Sequence, residues 1–308
     1  MLKRKLLRSA LFAIGLLIIL VAVHATGTQL PFITSEQSKT DSSVQWISLD
    51  EDLLQFNGLT EATAAEAPQI GLRKEAMKFA NAYLAKNSEL LQKIKEKHPS
   101  YFRIMDSVFK KYDLPMELKH LAIIESQLNT KARSRVGAVG PWQFMATTAR
   151  LLSLKVTAKY DERTHFYKST VAAAKYLRDL HGLFDDWLLV IAAYNCGPGP
   201  VYKAIKKSGS RNFWKLQQFL PEETRGHVKK FISTHYYYEG KGGVTTLTKY
   251  EADMHRKKMI AFAEKHNQLL KEKQAASIAE NDSTTDNSSK EEKVVAKANT
   301  MVGLKPQE

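Results

Sequence analysis

The stretch from Leu114 to Phe144, LPMELKHLAIIESQLNTKARSRVGAVGPWQF, constrains this chain more than any other. Pro115 suits a first helical position, because its missing N–H would lack a partner there in any case. Leu114, Leu118, Leu121, Ala122 and Ile124 recur at helical spacing and predict a core-facing stripe. Glu125 and Ser126 close that apolar run. A loop of Asn, Lys, Arg, Ser and Gly follows and ends in Gly137-Ala138-Val139-Gly140-Pro141-Trp142-Gln143-Phe144. A carboxyl group is thus delivered from the edge of a packed helix toward a glycine-bearing loop that carries a Trp and a Gln.

The chemistry available to Glu125 depends on its burial. Flanked by Ile123 and Ile124, it risks desolvation, which raises a carboxyl pKa. A carboxyl kept protonated near neutral pH can act as a general acid on a leaving-group oxygen. Read alone, a helical Glu is more often part of a solvated face. The rest of the chain decides between the two.

The chain has 308 residues and a formal net charge of +14. Its length fits one large domain or two small ones. Its charge calls for an acidic partner or surface: nucleic acid, membrane lipid or an anionic polymer. Cys196 is the single cysteine, so no intrachain disulfide forms. At the N-terminus, Lys3, Arg4, Lys5 and Arg8 precede an apolar run from Ala10 to Val23. Residues 1–25 therefore read as a signal peptide, with Val23-His24-Ala25 as a cleavage site, or as an uncleaved membrane anchor. The run is short of the roughly 20 apolar residues a span needs. Either reading exports the chain to the periplasm or cell envelope and removes nucleic acid as a partner.

Residues 26–66, rich in Ser, Thr, Glu, Asp and Gln, read as a linker. From Pro68 to Lys97 apolar residues repeat at helical intervals, and Pro99 ends that helix. Tyr101 to Tyr112 and Phe144 to Leu152 are further helices, separated from the next by a polar turn at Asp161 to Thr164. Ser169 to Phe184 follows, with Ser169 as its cap. Asp185 and Asp186 open a helix that starts at Trp187 and stops at Gly197-Pro198-Gly199-Pro200. A short helix from Val201 to Lys207 and a last one from Gly226 to Tyr238, closed by Gly240, complete the domain. No run of strands is visible. The expected architecture is all-α: a helical domain over 67–245, a charged helical extension over 246–274, and a disordered tail over 275–308.

Four motifs stand in order along the chain: Glu125-Ser126 at a helix end, Gly140-Pro141-Trp142-Gln143 in a loop, Ala193-Tyr194-Asn195-Cys196-Gly197-Pro198-Gly199 at another helix end, and Pro221-Glu222-Glu223-Thr224-Arg225 before a last helix. Together they resemble the lytic transglycosylase family, whose SLT domain has a goose-type lysozyme-like fold. The resemblance covers Tyr101 to Gly240. It implies peptidoglycan glycan strands as substrate and Glu125 as the catalytic residue. In the family that glutamate first protonates the glycosidic oxygen between N-acetylmuramic acid and N-acetylglucosamine. It then acts as base on the muramic C6 hydroxyl, which closes a 1,6-anhydro ring. The residues agree on one point. Ordinary glycosidases use two carboxylates, and no second acid in these motifs looks like a partner for Glu125, since Asp185, Asp186, Glu222 and Glu223 are explained as helix starts.

The remaining site residues follow from the resemblance as substrate contacts. Gln143 offers an amide to hydroxyl or N-acetyl groups. Tyr194 and Asn195 line the cleft floor, with Asn195 on the N-acetyl group. Ser126 meets the lactyl carboxylate, Gly140 shapes the loop, and Trp142 either stacks on a sugar or is buried. His227 stands where relatives often carry a Tyr near the glutamate, and Tyr236 or Tyr237 is a substitute for that role. Cys196, where Ala is common, reads as a small buried side chain. No cofactor and no metal are expected: the histidines are scattered and no HExxH pair exists. The alternatives are a hydrolytic muramidase of the same fold and a non-catalytic wall-binding protein.

Overall fold

The helix from Trp187 to Cys196 is apolar around its whole circumference, and such a helix has to be buried. In the computed structural model, which describes residues 66–301 (side chains to 278), every residue from Trp187 to Ala193 is buried. Three other helices pack directly on it. In chain order the described α-helices are α1 Lys74–Lys97, α2 Pro99–Lys111, α3 His120–Ser126, α4 Ala146–Leu151, α5 Phe166–Phe184, α6 Trp187–Cys196, α7 Pro198–Ser208, α8 Phe213–Leu216, α9 Glu222–Glu239 and α10 Lys249–Met301. Among the described residues the extended pairings are isolated bridges only, Arg133 with Val139, Val139 with Phe144 and Val156 with Asp161. The all-α expectation holds.

Residues 69–256 form one unit, and 66–68 with 257–301 belong to another. Within the first, α6 packs against α5, α7 and α9, while α9 also packs against α1 and α3. Asp186 starts α6 as the sequence implies. Its Oδ1 accepts from Leu189 N–H at 3.1 Å and its Oδ2 from Lys249 N–H at 2.7 Å. Burial pushes its carboxyl up to about 6. Gly240 ends α9 at φ +70°, a left-handed conformation that costs glycine little.

Several boundaries differ from expectation. Pro115 is extended (ψ 126°) and precedes a 3₁₀ turn, Met116–Lys119, so it caps a tighter turn before α3. The first helix begins at Lys74, because the carbonyl of Ile70 is already engaged by Gly242 N–H and the Tyr236 hydroxyl. Ser169 lies inside α5, donating to His165 O and Phe166 O, and His165 is the cap. The tail expected to be disordered from Ala275 is helical to Met301. Polar composition suggests disorder there, with Ser, Thr, Asn and Asp as frequent as Ala, Lys and Glu, but the segment has no Gly or Pro to break a helix. No helix of the described residues is long and apolar enough to cross a membrane. The signal or anchor at 1–25 and nearly all of the linker lie outside the described residues.

Candidate active site

Short α3 carries Glu125 to the edge of the core. His120, Leu121, Ala122 and Ile123 are buried, and the helix then stops abruptly. Gln127 and Leu128 both take left-handed backbones, φ 57° and 62°, which turn the chain away after Ser126. Glu125 is left at a helix end with its side chain only 16% exposed.

Its partner comes from α9. His227 Nε2 lies 2.8 Å from Glu125 Oε1, and the His227 side chain is 9% exposed. The other ring nitrogen, Nδ1, is buried and has no hydrogen-bond partner. A proton on Nδ1 would be a buried, unsatisfied donor, which is costly. The tautomer with the proton on Nε2 avoids that and donates to Glu125. The resemblance puts His227 at a position near the glutamate and among the substrate contacts; in the structure its bond is to the carboxylate.

The loop facing Glu125 is held by a residue the sequence reading passed over. Arg163 is 6% exposed, and its guanidinium donates to Gly137 O and Phe144 O at 3.0 Å each. Asp161 accepts from its Nε at 2.9 Å and Nη2 at 2.7 Å, and this pair holds the Asp161 carboxyl below its ordinary value. Gly140 packs directly on the Arg163 backbone. A Cβ there would stand 1.9 Å from Arg163 O, and φ is +85°, so only glycine fits.

Gln143 closes this turn at φ 49°. Its Nε2 donates to Gly140 O at 2.8 Å, so the amide donor foreseen for sugar is engaged within the loop and Oε1 is the atom left for a ligand. Ser126 donates to Pro141 O at 2.8 Å, tying the end of α3 to the same loop. Trp142 is fully buried, packs near Phe109, and donates its indole N–H to Thr170 Oγ1 at 3.0 Å. It cannot stack on a sugar.

The end of α6 completes the site. Tyr194 donates to Trp142 O at 2.8 Å. Burial, and then the negative charge of Glu125, pushes its phenol well above the ordinary value, so it remains a donor. Asn195 Oδ1 accepts from Thr224 Oγ1 at 2.7 Å, and Thr224 is itself buried in the first turn of α9. Thr224 stands in the fourth motif of the sequence, with no role of its own legible there. It precedes His227 by three residues, a spacing that puts both on one face of α9. Burial pushes the Cys196 thiol up to about 11, which removes it as a nucleophile. Tyr236 is elsewhere, donating to Ile70 O at 3.1 Å.

The other nearby-in-sequence carboxylates are committed. Asp161 holds Arg163; Glu162 accepts from Lys155 N–H and pairs with Lys168; Asp186 caps α6; Glu222 and Glu223 are exposed in the first turn of α9. The site offers the half-buried carboxyl of Glu125 with one imidazole donor, beside amide and hydroxyl groups.

Residues 106–217 match the transglycosylase SLT domain family. The chain is 34% identical over 209 residues to membrane-bound lytic murein transglycosylase D of Escherichia coli K12, covering 64% of this chain and 44% of that protein. It is 41% identical over 123 residues to peptidoglycan transglycosylase gp16 of Escherichia phage T7, covering 39% of this chain and 9% of that one. The 70-kDa soluble lytic transglycosylase of Escherichia coli superposes with a TM-score of 0.44 at 21% identity, over 74% of this chain and 41% of that one. The chain spans less than half the length of these relatives. The helix end with Glu125, the latched loop and the end of α6 all fall inside residues 106–217, the stretch that matches the transglycosylase SLT domain family.

Proposed function

We propose that this chain is a peptidoglycan lytic transglycosylase acting in the cell envelope. It cleaves the β-1,4 bond between N-acetylmuramic acid and N-acetylglucosamine and leaves a 1,6-anhydro muramic end. Glu125 serves first as acid and then as base. The observation that carries the reading is that Glu125 is bonded by an imidazole, while Asp161, Glu162 and Asp186, which flank the other motifs, are engaged with groups of their own. Among the described residues no second carboxylate is bonded to Glu125 or His227, and the substrate's own C6 hydroxyl is the group we assign to the attack.

His227 fits both halves of the cycle. Donating to Oε1, it orients the carboxyl and leaves Oε2 to carry the proton. Oε2 gives that proton to the glycosidic oxygen as the bond to C1 breaks. The resulting carboxylate, stabilised by the imidazole N–H, then takes the proton of the C6 hydroxyl as its oxygen bonds C1. The proton count closes without water. Asn195, set by Thr224, Gln143 through Oε1, the Tyr194 hydroxyl and Ser126 are the groups we assign to the sugar and its N-acetyl and lactyl substituents. Trp142 and Tyr236 have no part in that set.

The test is the product. The purified chain is incubated with sacculi, and the released muropeptides are weighed by mass spectrometry. Ends lighter by one water than hydrolysed ends are expected. Reducing ends would make the chain a hydrolase, and no release would return it to a wall-binding protein.

A further inference from the structure

A concavity of about 550 Å³ opens on residues 69–256, lined by Trp214, Lys215, Gln217, Gln218, Arg225 and Lys229. It is separate from the site at Glu125. Arg225 and Lys229 stand two residues either side of His227 on α9, and two residues is a little over half a turn. They therefore point from the opposite face of the helix to the one that meets Glu125.

Three cations share this hollow and no carboxylate lines it. None of the three makes an ion pair among the described residues. Partial burial, and then the charge of Arg225, holds the Lys229 ammonium below its ordinary value. The indole N–H of Trp214 is buried and has no hydrogen-bond partner. Gln217 donates to Trp214 O at 3.2 Å, which leaves its amide oxygen as an acceptor. Three cations and the side-chain amides of Gln217 and Gln218 together suit a ligand that carries both negative charge and amide groups. A bare phosphate would satisfy the charge and leave the amides idle.

We propose that this hollow is an exosite for the carboxylate-bearing peptide stems of peptidoglycan, separate from the strand being cut. The proposal rests on the reading of peptidoglycan as substrate. A polymer that offers many stems can occupy the hollow and the cleft together, and the second contact then forms at high effective concentration. The excess positive charge of the chain acquires a defined place to act.

The experiment is calorimetric titration of the full chain, which needs no turnover. The probes are N-acetyl-L-Ala–γ-D-Glu, the same dipeptide with both carboxyls amidated, and inorganic phosphate. The dipeptide is expected to bind, with its diamide and phosphate each at least about tenfold weaker, because charge-assisted bonds are the strong ones. The K215Q/R225Q/K229Q variant, checked for an unchanged circular dichroism spectrum, is expected to lose a similar factor. The indole resonance of Trp214 is expected to shift on dipeptide addition and not on diamide addition. Equal binding of the diamide, phosphate binding as tight as the dipeptide, no binding, or full binding by the triple variant would each overturn the proposal. A chain that binds the dipeptide but makes no anhydro ends would sink the transglycosylase reading and leave the exosite standing.

Discussion

His227 Nε2 and Glu125 Oε1, 102 residues apart in sequence, are 2.8 Å apart in the structure, and both side chains are largely shielded from water. A hydrogen bond to a charged group contributes on the order of 1.5–3 kcal/mol. His227→Phe keeps the bulk and removes the donor, so kcat/KM is predicted to fall by about 10- to 100-fold, mostly in kcat. His227→Tyr offers a hydroxyl from the same helix position and should retain more activity than the Phe variant. Steady-state kinetics of both variants on soluble glycan chains checks the order. Equal loss in Phe and Tyr would mean that shape alone matters.

Thr224→Val replaces a hydroxyl by a methyl of similar size and frees Asn195 Oδ1 from its 2.7 Å bond. The expected outcome is a KM several-fold higher with stability lowered by about 1 kcal/mol. An unchanged KM would take Asn195 out of the proposed substrate contacts.

Trp142→Ala empties a fully buried site and leaves Thr170 without its indole donor. The predicted loss is about 3–5 kcal/mol of unfolding free energy. Trp142→Phe keeps most of the volume and should cost far less while leaving glycan affinity unchanged. A drop in affinity for the Phe variant, with normal stability, would restore the stacking role.

The pH dependence of stability has a definite sign. His235 is buried, and burial, the largest cause, pushes its imidazole from about 6.5 down to about 3. His120, also buried, is pushed down by the same cause. Between those values the unfolded chain binds a proton that the folded chain refuses, so stability is full above about pH 6.5 and is lost as pH falls toward 3. Asp186, raised to about 6, acts in the opposite sense between its unfolded value and 6, and partly offsets the loss. The melting temperature is predicted to fall on acidification below pH 6.5, and His235→Gln should make the fall shallower. A variant with the same slope as the parent would contradict this assignment.

The sequence was most legible where local chemistry decides the outcome. Asp186 before an all-apolar run and Gly240 after the last helix are read correctly because capping depends on neighbours a few residues away. Glu125, Gln143, Tyr194 and Asn195 stand out by motif order, and the resemblance puts position 227 near Glu125, but Thr224 and Arg163 do not stand out. The bond from His227 to Glu125 and the latch from Arg163 to Gly137 and Phe144 are tertiary, and nothing within a short window encodes them. The orientation of Trp142 is illegible for a related reason: a Trp in a glycine loop looks the same in sequence whether it faces in or out. Tyr236 was offered as a stand-in near Glu125, but it lies nine residues beyond His227 and donates to Ile70 instead.

The central claim is that Glu125 alone supplies both protons' worth of chemistry. The most direct measurement is the rate of anhydro-muropeptide release from sacculi by Glu125→Gln, an isosteric change that keeps an acceptor for His227, with the variant's melting temperature measured alongside. A folded variant with release lowered by at least about a thousandfold is predicted, as for a group that carries proton transfer and charge together. A folded variant that still releases anhydro products at a substantial fraction of the parent rate would contradict the account.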